Sequence, residues 1–463
     1  MGALAAVSQA ADANNTIANS YSYGNDRLTT INHNGFNFTF EYDPFGNVTN
    51  VKVGNQSLVS YTYGTGANRN RIASITYGNG QTVTYAYDND NNVTGVSYDG
   101  SATYRYTYTY SDGKLASYTD NVNNTVTTYN DNGYEVRTND AASTLIYSSS
   151  TNSDGDTVKS FGTNQYTYNA AVSNYDGVSG YTTETQSITG ANVNLKTDNV
   201  TDYFERTLTD SLESYDSSGA LISGLNEIYG YGDTSTTAST KITSYGVSYY
   251  TNAADKNTAD YEYEYEYDSR GNITKISQNN SEIERYTYDN ANQLLRNDSV
   301  INNKSYTYTY DDGGNLVSKS EYDYTTGTLG TATKTVGYGY DTTWADKLTS
   351  YDGKAITYDA NGNPLTYGDW EYTWTAGRQM ATARNSEKLI VYTYNADGLR
   401  TDRKVYSIDD NGNVSTSFSE IKYIWDGNKL VSSELCGNNP ITLRYIYDDN
   451  GEAMGFVTNY DSA

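Results

Sequence analysis

The sequence predicts an all-β protein built as an array of repeated β-hairpins, and three observations support this prediction. One phrase, Tyr-x-Tyr-Asp, two spacers, Gly-Asn and an aliphatic residue, recurs along the chain. Tyrosines alternate with polar residues before the phrase, and glycine, asparagine and aspartate fill the positions that follow the aromatic residue. Repetition at a near-fixed interval is the signature of one small structural unit that is stacked many times.

The phrase occurs in clear form in both halves of the chain. Tyr42 opens one copy and Tyr63 opens the next one, 21 residues later, and the same interval separates Tyr267 from Tyr288. A unit of this length accommodates two short strands and the turns that join them. The positions that we assign to the structural repeat are Tyr42, Asp43, Gly46, Tyr267, Asp268, Gly271, Tyr288, Asp289, Tyr310, Asp311, Gly314, Tyr358, Asp359, Gly362, Tyr394, Gly398, Tyr447, Asp448 and Gly451.

Each part of the unit has its own structural role. Residues 261–267 alternate tyrosine with glutamate, and this period of two places the tyrosines on one face of a strand. The Asp-x-x-Gly-Asn that follows is typical of a turn, because the aspartate side chain can accept hydrogen bonds from backbone N–H groups of the loop and glycine accepts a positive φ. Residues 273–276 then return as a second strand. Since one hairpin is marginal in water, neighbours must pair, and the long sheet that results is expected to twist and curl.

The chain can be divided into five segments according to how closely the sequence matches the repeat phrase. We interpret residues 1–20 as an N-terminal linker or the edge of a fragment, and residues 21–137 as a first repeat array. Residues 138–260 carry weaker copies, which are either degenerate repeats, the interpretation we favour, or an insertion. Residues 261–456 form a second array, and residues 457–463 are interpreted as a truncated end.

The composition narrows the classes of function. The 463 residues include 52 tyrosines and carry a formal net charge of −26, with a pI of about 4.3. Abundant alternating aromatic residues argue against a disordered chain. An acidic surface repels phosphate backbones, so no nucleic-acid partner is expected. No apolar run approaches the roughly 18 residues that would span a bilayer, and no membrane span is predicted.

The sequence contains no recognisable catalytic set. His33 is the only histidine and Cys436 the only cysteine, so a nucleophilic triad around histidine is disfavoured and an intramolecular disulfide is impossible. Residues 88–92 and 409–413 offer several oxygen donors, which is a weak calcium signal, but turn formation explains them better. No pair of carboxylates stands out for glycoside hydrolysis. The chain is therefore predicted not to be an enzyme and to need no cofactor.

Residues 356–374 give the most complete copy of the phrase, with Tyr358-Asp359-Ala360-Asn361-Gly362-Asn363 at its centre and Trp374 at its end. Copies of this phrase at steps near twenty resemble the YD repeat of the RHS (rearrangement hot spot) family, which includes bacterial polymorphic toxins, toxin-complex cocoons and teneurins. The resemblance implies that the strand ribbon spirals into a hollow shell, and that in the bacterial toxins this shell encloses a C-terminal effector. The family's core usually ends with Asp-Pro-x-Gly and paired aspartates for self-cleavage. Here Asp-Pro-x-Gly occurs only at residues 43–46, so neither self-cleavage nor an effector is assigned to this chain.

Two functional hypotheses follow. The first is a non-catalytic structural module in the shell of a larger bacterial protein that is secreted or displayed at the cell surface. Its partner is then the remainder of its own polypeptide, including an enclosed effector. The alternative is an adhesin-like surface that binds carbohydrate or protein, since tyrosines flanked by asparagine and aspartate can stack on sugar rings and bond to their hydroxyls.

Overall fold

The computed structural model describes residues 3–13, 15–190, 193–234, 237–447, 451 and 453–459. These residues form forty β-strands and two short 3-10 turns, and none of them lies in an α-helix. The prediction of an all-β array of hairpins is confirmed. The tyrosine and threonine content explains the strands, because both side chains suit a half-buried pleated surface.

The strands are short and regularly spaced. The first twenty are β1 Ala6–Ala10, β2 Thr16–Gly24, β3 Arg27–His33, β4 Phe36–Tyr42, β5 Val48–Val53, β6 Gln56–Tyr63, β7 Ile72–Tyr77, β8 Thr82–Tyr87, β9 Val93–Tyr98, β10 Tyr106–Ser111, β11 Lys114–Asp120, β12 Thr125–Asn130, β13 Gly133–Thr138, β14 Leu145–Thr151, β15 Thr157–Phe161, β16 Asn164–Tyr168, β17 Val172–Asp176, β18 Tyr181–Gly190, β19 Val193–Thr201 and β20 Thr207–Tyr215. The next twenty are β21 Leu221–Tyr231, β22 Ile242–Tyr250, β23 Tyr261–Tyr267, β24 Ile273–Gln278, β25 Ser281–Tyr288, β26 Leu294–Ser299, β27 Lys304–Tyr310, β28 Leu316–Asp323, β29 Lys334–Tyr340, β30 Leu348–Tyr351, β31 Lys354–Tyr358, β32 Pro364–Tyr367, β33 Trp370–Thr375, β34 Gln379–Arg384, β35 Lys388–Tyr394, β36 Arg400–Ile408, β37 Val414–Asp426, β38 Lys429–Cys436, β39 Ile441–Tyr447 and β40 Ala453–Thr458. The 3-10 turns are Gly66–Asn68 and Ala253–Asp255.

The chain divides into two compact units, each assembled from separate stretches of sequence. The first unit comprises Met1–Leu115, Asp120–Asn123 and Arg285–Glu420, and the second comprises Ala116–Thr119, Asn124–Glu284 and Ile421–Ala463. The five segments of the sequence analysis were defined by how closely each stretch matches the repeat phrase and not by contacts in space. They remain a prediction. Strands β14 to β22 nevertheless cover much of residues 138–260, the stretch where the phrase is weakest.

Within each unit, strands pair antiparallel with their neighbours in the sequence. In the first unit, β4 pairs with β5 and β5 with β6, and the same meander continues through β7, β8 and β9. In the second unit, β16 and β17 depart from this pattern and both pair with the long strand β18. Thr167 lies opposite Thr189, and Asn174 lies opposite Thr183, so the two short strands lie end to end along one edge of β18.

A one-residue irregularity recurs at the aromatic residue of many repeats. Tyr42 lies opposite Val48, whereas the preceding Glu41 lies opposite Asn50, which leaves Thr49 as an extra residue on the returning strand. The same shift occurs before Tyr63, Tyr87, Tyr267, Tyr310, Tyr340, Tyr358, Trp374, Tyr394 and Tyr447. A β-bulge bends its strand and increases the local twist. Each of these repeats therefore carries its own source of curvature beside the turn.

Each unit buries a compact apolar cluster. In the first unit, Phe36, Val53 and Leu58 pack with Trp344, which comes from far along the sequence. The cluster of the second unit is larger and is built around Tyr147, Phe161, Tyr166, Tyr168, Ile188, Val193, Val431 and Ile446. Aromatic and aliphatic residues from successive strands share the apolar burial, and tyrosine contributes much of the aromatic part.

We predict that Gly362→Ala destabilises the protein more than Gly412→Ala. Both glycines occupy the same turn position, with φ of 80° and 82°. A Cβ at Gly362 would lie 2.7 Å from the indole of Trp344, while a Cβ at Gly412 would meet no atom within 4 Å. Both changes strain the backbone, and overpacking should add roughly 1–3 kcal/mol at Gly362 only. Urea unfolding of both variants measures the difference, and equal losses would contradict this view of the Trp344 contact.

Candidate functional site

The most frequent polar arrangement is the turn that follows the repeat tyrosine. In the first clear copy, Oδ1 of Asp43 accepts hydrogen bonds from the backbone N–H groups of Phe45 at 2.8 Å and Asn47 at 2.9 Å. Its Oδ2 accepts from Nδ2 of Asn47 at 2.8 Å. The N–H of Gly46 donates to the carbonyl O of Asp43 at 3.1 Å. The polar atoms of the turn therefore satisfy one another, which is what a tight loop requires of its backbone groups.

The same turn recurs throughout the chain. A side-chain oxygen accepts from the N–H groups two and four residues ahead at Asp43, Asp88, Asn152, Asp202, Asp216, Asp268, Asp289, Asp311, Asp359, Asn395 and Asp409. The fourth residue of the turn has a positive φ at Gly46, Gly271, Gly314, Gly362, Gly398 and Gly451. Asp448 lies outside the described residues. Asn91 and Glu205 take the same position with φ of 66° and 60°, which the glycine-based prediction did not anticipate.

The repeat tyrosine bonds to the preceding hairpin through its hydroxyl. Tyr63 donates to the carbonyl O of Val48 at 2.7 Å, and Val48 is the aliphatic residue that ends the phrase opened by Tyr42. Equivalent bonds join Tyr42 to Leu28, Tyr87 to Ile72, Tyr110 to Val93, Tyr231 to Thr207, Tyr267 to Ile242, Tyr310 to Leu294, Tyr340 to Leu316, Tyr358 to Leu348, Tyr394 to Met380 and Tyr447 to Leu430. Trp374 donates to Pro364 through its indole Nε1–H instead, at 2.7 Å. Tyr288 is the last residue of β25.

The pKa shifts of the repeat tyrosines and of the turn aspartates favour these hydrogen bonds. Desolvation by burial raises the pKa of Tyr63, Tyr87 and Tyr310, so their hydroxyls keep the proton that they donate. The pKa of Asp88 is lowered by the backbone N–H and then the side chain of Asn92, and that of Asp409 is lowered by the side chain and then the N–H of Asn413. Hydrogen bonds to the ionised form account for this direction.

The residues that we considered for chemistry have structural contacts. His33 lies with Nδ1 2.7 Å from Oδ1 of Asn19 and Nε2 3.3 Å from Oδ2 of Asp346. Cys436 is half-buried, with Sγ 3.7 Å from the carbonyl O of Glu434. In the two calcium candidates, the carboxylates of Asp88 and Asp409 accept N–H bonds from their own turns. Within the described ranges, no group of three or more His, Cys, Asp or Glu side chains is placed to hold a metal ion.

The second unit contains clusters that the sequence did not indicate. Asp426 accepts from the hydroxyls of Tyr134 at 2.7 Å and Tyr147 at 2.9 Å, and Lys159 lies 3.2 Å away. Although burial opposes ionisation, the bonds from Tyr134 and the charge of Lys159 lower the pKa of Asp426 overall. Its partners are 279 and 292 residues distant in sequence, so no local pattern could have revealed the group.

An open cavity of about 590 Å³ also lies in the second unit. Its apolar lining includes Leu195, Leu212 and Leu225, and the exposed rings of Tyr249 and Phe456 border it. Cavities of this size accommodate small ligands, and aromatic rings beside apolar walls are common in such sites. Serine and threonine side chains, among them Ser214 and Thr251, supply the polar part of the lining.

The chain is similar in sequence to two bacterial proteins over about a third of its length. No family model matches the chain. It is 29% identical over 176 residues to the tRNA3(Ser)-specific nuclease WapA of Bacillus spizizenii, covering 37% of this chain and 7% of that protein. It is also 29% identical over 169 residues to the tRNA nuclease WapA of Bacillus subtilis, covering 36% of this chain and 6% of that protein. The chain therefore spans less than a tenth of the length of these relatives.

Solved structures share the fold over nearly the whole chain. The crystal structure of TcdB2-TccC3-Cdc42 matches 97% of this chain and 25% of its own, with a TM-score of 0.55 and 13% identity. The crystal structure of TcdB2-TccC3 matches 97% of this chain and 26% of its own, with a TM-score of 0.54 and 14% identity. At this level of identity the likeness concerns the fold. Together with the WapA relatives, it confirms the predicted resemblance to the RHS, or YD-repeat, family.

We predict that Tyr63→Phe destabilises the protein and that Tyr61→Phe, two residues earlier on β6, does not. The hydroxyl of Tyr63 donates to Val48, whereas that of Tyr61 has no hydrogen-bond partner among the described residues. Loss of one such bond should cost roughly 0.5–1.5 kcal/mol. Thermal and urea unfolding of the two variants test this, and a neutral Tyr63→Phe would refute the role of the hydroxyl.

We predict that acid destabilises the array through its turn aspartates. An unfolded aspartate has a pKa of about 3.9, and the folded values at Asp88, Asp268 and Asp409 are lower. Their contribution is thus fully present above about pH 4 and is lost as the pH falls through the lowered folded values. The variant with all three changed to asparagine should be less stable at neutral pH and should lose less on acidification. Denaturation midpoints of the parent chain and of the variant are measured from neutral pH downward. If these carboxylates did not contribute, the two midpoints would fall in parallel as the pH is lowered.

Proposed function

We propose that this chain is a non-catalytic segment of the β-shell of a larger bacterial toxin, in which the shell encloses an effector carried elsewhere on the same polypeptide. The observation that carries this proposal is the chain of tyrosine hydroxyl bonds from one hairpin to the next. A wall built in this way is continuous and resists local opening. The fold shared with the TcdB2-TccC3 chain over 97% of this sequence supports the same assignment.

The side chains that recur are used for structure. The carboxylate, the glycine and the tyrosine of the repeat are bound to backbone groups, so the copies within the described residues do not present a nucleophile beside a base. The relatives are named as nucleases, but the alignments cover only 6% and 7% of their lengths. A net charge of −26 also opposes tRNA binding. Nuclease activity, where such a polypeptide has it, is therefore assigned to another segment.

The proposed setting is outside the bacterial cell, either secreted or held at its surface. The acidic, polar surface suits that setting. No helix in the described part of the chain is long and apolar enough to cross a membrane. The partner of the chain is then the rest of its own polypeptide, since hairpins that end an array offer strand edges to the next repeat.

A second candidate function is the binding of carbohydrate or a protein surface. The cavity of the second unit favours it, because the exposed rings of Tyr249 and Phe456 border an apolar floor with hydroxyl groups nearby. A glycan array with the isolated chain and its Tyr249→Ala variant tests this candidate. Binding that Tyr249→Ala abolishes would support it, and an array without signal would count against it.

We predict that the purified chain does not cleave tRNA. The expected result is intact total bacterial tRNA on a denaturing gel after prolonged incubation, with a known ribonuclease as the positive control. The physical reason is the absence of a reactive set at the repeat turns and the repulsion between two acidic polymers. Cleavage that copurifies with the chain and changes in a turn variant would contradict the non-catalytic assignment.

We predict that the chain protects the segment it encloses from protease. The test uses the longer natural polypeptide that contains this chain and compares digestion of its other segments with digestion of the same segments produced alone. Protection should be lost when the array is destabilised, for example in Gly362→Ala, and retained in Gly412→Ala. Digestion of the enclosed segment at the rate of the isolated one would argue against enclosure.

A further inference from the structure

Three carboxylates of the second unit each accept hydrogen bonds from two tyrosine hydroxyls, one at each oxygen. At Glu227, Tyr229 donates to Oε2 at 2.9 Å and Tyr245 donates to Oε1 at 2.5 Å. Glu213 binds Tyr215 and Tyr250 in the same way, and Asp426 binds Tyr134 and Tyr147. Ionised acceptors make these bonds stronger than those to a neutral carbonyl.

The pair at Glu227 has the geometry of two rings that can react with each other. Tyr229 and Tyr245 lie directly opposite in the pairing of β21 with β22. Their ring centroids are 5.3 Å apart with an interplanar angle of 52°. Because one carboxylate accepts from both hydroxyls, the two phenol oxygens lie beside the same side chain. Both tyrosines are half-buried, so small oxidants in solvent can reach the pair.

We propose that Tyr229 and Tyr245 form an oxidative coupling site, in which a one-electron oxidant generates a dityrosine cross-link and Glu227 acts as the base. Each phenol loses one electron to the oxidant and one proton to the Glu227 carboxylate, which passes it to solvent. The two phenoxyl radicals join through the ring carbons beside their oxygens. The hydrogen on each of these carbons then leaves as the ring regains aromaticity and each phenol oxygen regains a proton. Overall, the pair loses two electrons and two protons, and one carbon–carbon bond forms.

Glu227 can remove the proton of a phenol, which a backbone carbonyl cannot do. A phenol that loses an electron becomes strongly acidic, and a base already within hydrogen-bond distance removes its proton in the same event. The next ring, Tyr263, stacks on Tyr245 at 6.3 Å, but its hydroxyl accepts a bond from Nε2 of Gln278 at 3.0 Å. The coupling site is therefore centred on the two phenols that share the carboxylate.

The chain contains a matched pair without a carboxylate. Tyr338 and Tyr351 also lie opposite each other, in the pairing of β29 with β30, with ring centroids 5.3 Å apart. Neither of their hydroxyls bonds to a carboxylate in the part of the chain that the structure describes. Trypsin separates the partners in both pairs, because Lys241 lies between Tyr229 and Tyr245, and Lys347 lies between Tyr338 and Tyr351. One digest therefore compares both sites within the same molecule.

The test exposes the intact chain to a photogenerated one-electron oxidant, a ruthenium tris-bipyridyl complex with persulfate, at low conversion. Tryptic peptides joined with the loss of two hydrogen atoms are quantified by mass spectrometry, and fragmentation assigns the tyrosines. The expected yield at Tyr229–Tyr245 exceeds that at Tyr338–Tyr351 by roughly tenfold or more, because a positioned base gives effects of at least this size. Tyr245→Phe should abolish the Tyr229 product without creating a link from Tyr229 to another tyrosine.

The role of the carboxylate is tested by Glu227→Gln, which keeps the shape of the side chain and removes the base. The Tyr229–Tyr245 yield should fall to the level of Tyr338–Tyr351. The yield at Tyr338–Tyr351, which lies in the first unit, should stay unchanged and report an equal dose of oxidant, and an unchanged thermal unfolding transition reports that the fold is intact. Equal yields at the two pairs in the unmodified chain would overturn the proposal. A Glu227→Gln chain that couples Tyr229 to Tyr245 as well as the parent would overturn the part assigned to Glu227.

Discussion

The bond from a tyrosine hydroxyl to the backbone carbonyl of the preceding hairpin is the interaction on which the rest of the structure depends. A sheet made from similar strands is prone to slip, because a shift of one residue turns every side chain to the other face. The phenol of Tyr63 reaches Val48, and that of Tyr87 reaches Ile72; the acceptor is the first or second residue of the strand that follows a turn. Each hairpin thereby fixes the position of the next one, and the array has one register.

The aspartate turn and the hydroxyl bond form one device. Asp43 closes its turn through the N–H groups of Phe45 and Asn47, which sets where Val48 begins the returning strand and where its carbonyl points. The bulge beside the tyrosine belongs to the same arrangement. Trp374 and Asn395 show that the device requires a donor and an acceptor at these positions, because a tryptophan N–H donates in place of the phenol and an asparagine oxygen accepts the same two N–H bonds without the charge of a carboxylate.

The sequence alone predicted the local parts of this device and missed the connections between them. Alternating tyrosines and Asp-x-x-Gly-Asn suffice to predict strands and turns, since these depend on neighbouring residues. The acceptor of the hydroxyl depends on a bulge and on the placement of the preceding hairpin, neither of which has a sequence signal of its own. A positive φ at Asn91 agrees with the tolerance of asparagine for the left-handed region, whereas the positive φ at Glu205 has no sequence signal. The group at Asp426 joins residues nearly 300 positions apart.

In the scaffold and in the proposed coupling site the hydrogen-bond donor is the same, a tyrosine hydroxyl. The two differ in the acceptor, which is a backbone carbonyl in the scaffold and a carboxylate in the coupling site. At Tyr63 the hydroxyl meets a backbone carbonyl, which holds the proton in place but cannot remove it, so the side chain serves only structure. At Tyr229 and Tyr245 the hydroxyls meet the carboxylate of Glu227, which can take a proton when an electron leaves. A protein with 52 tyrosines can therefore confine oxidation chemistry to a few of them without changing the side chain. In this chain, what a tyrosine does is decided by the oxygen to which it donates.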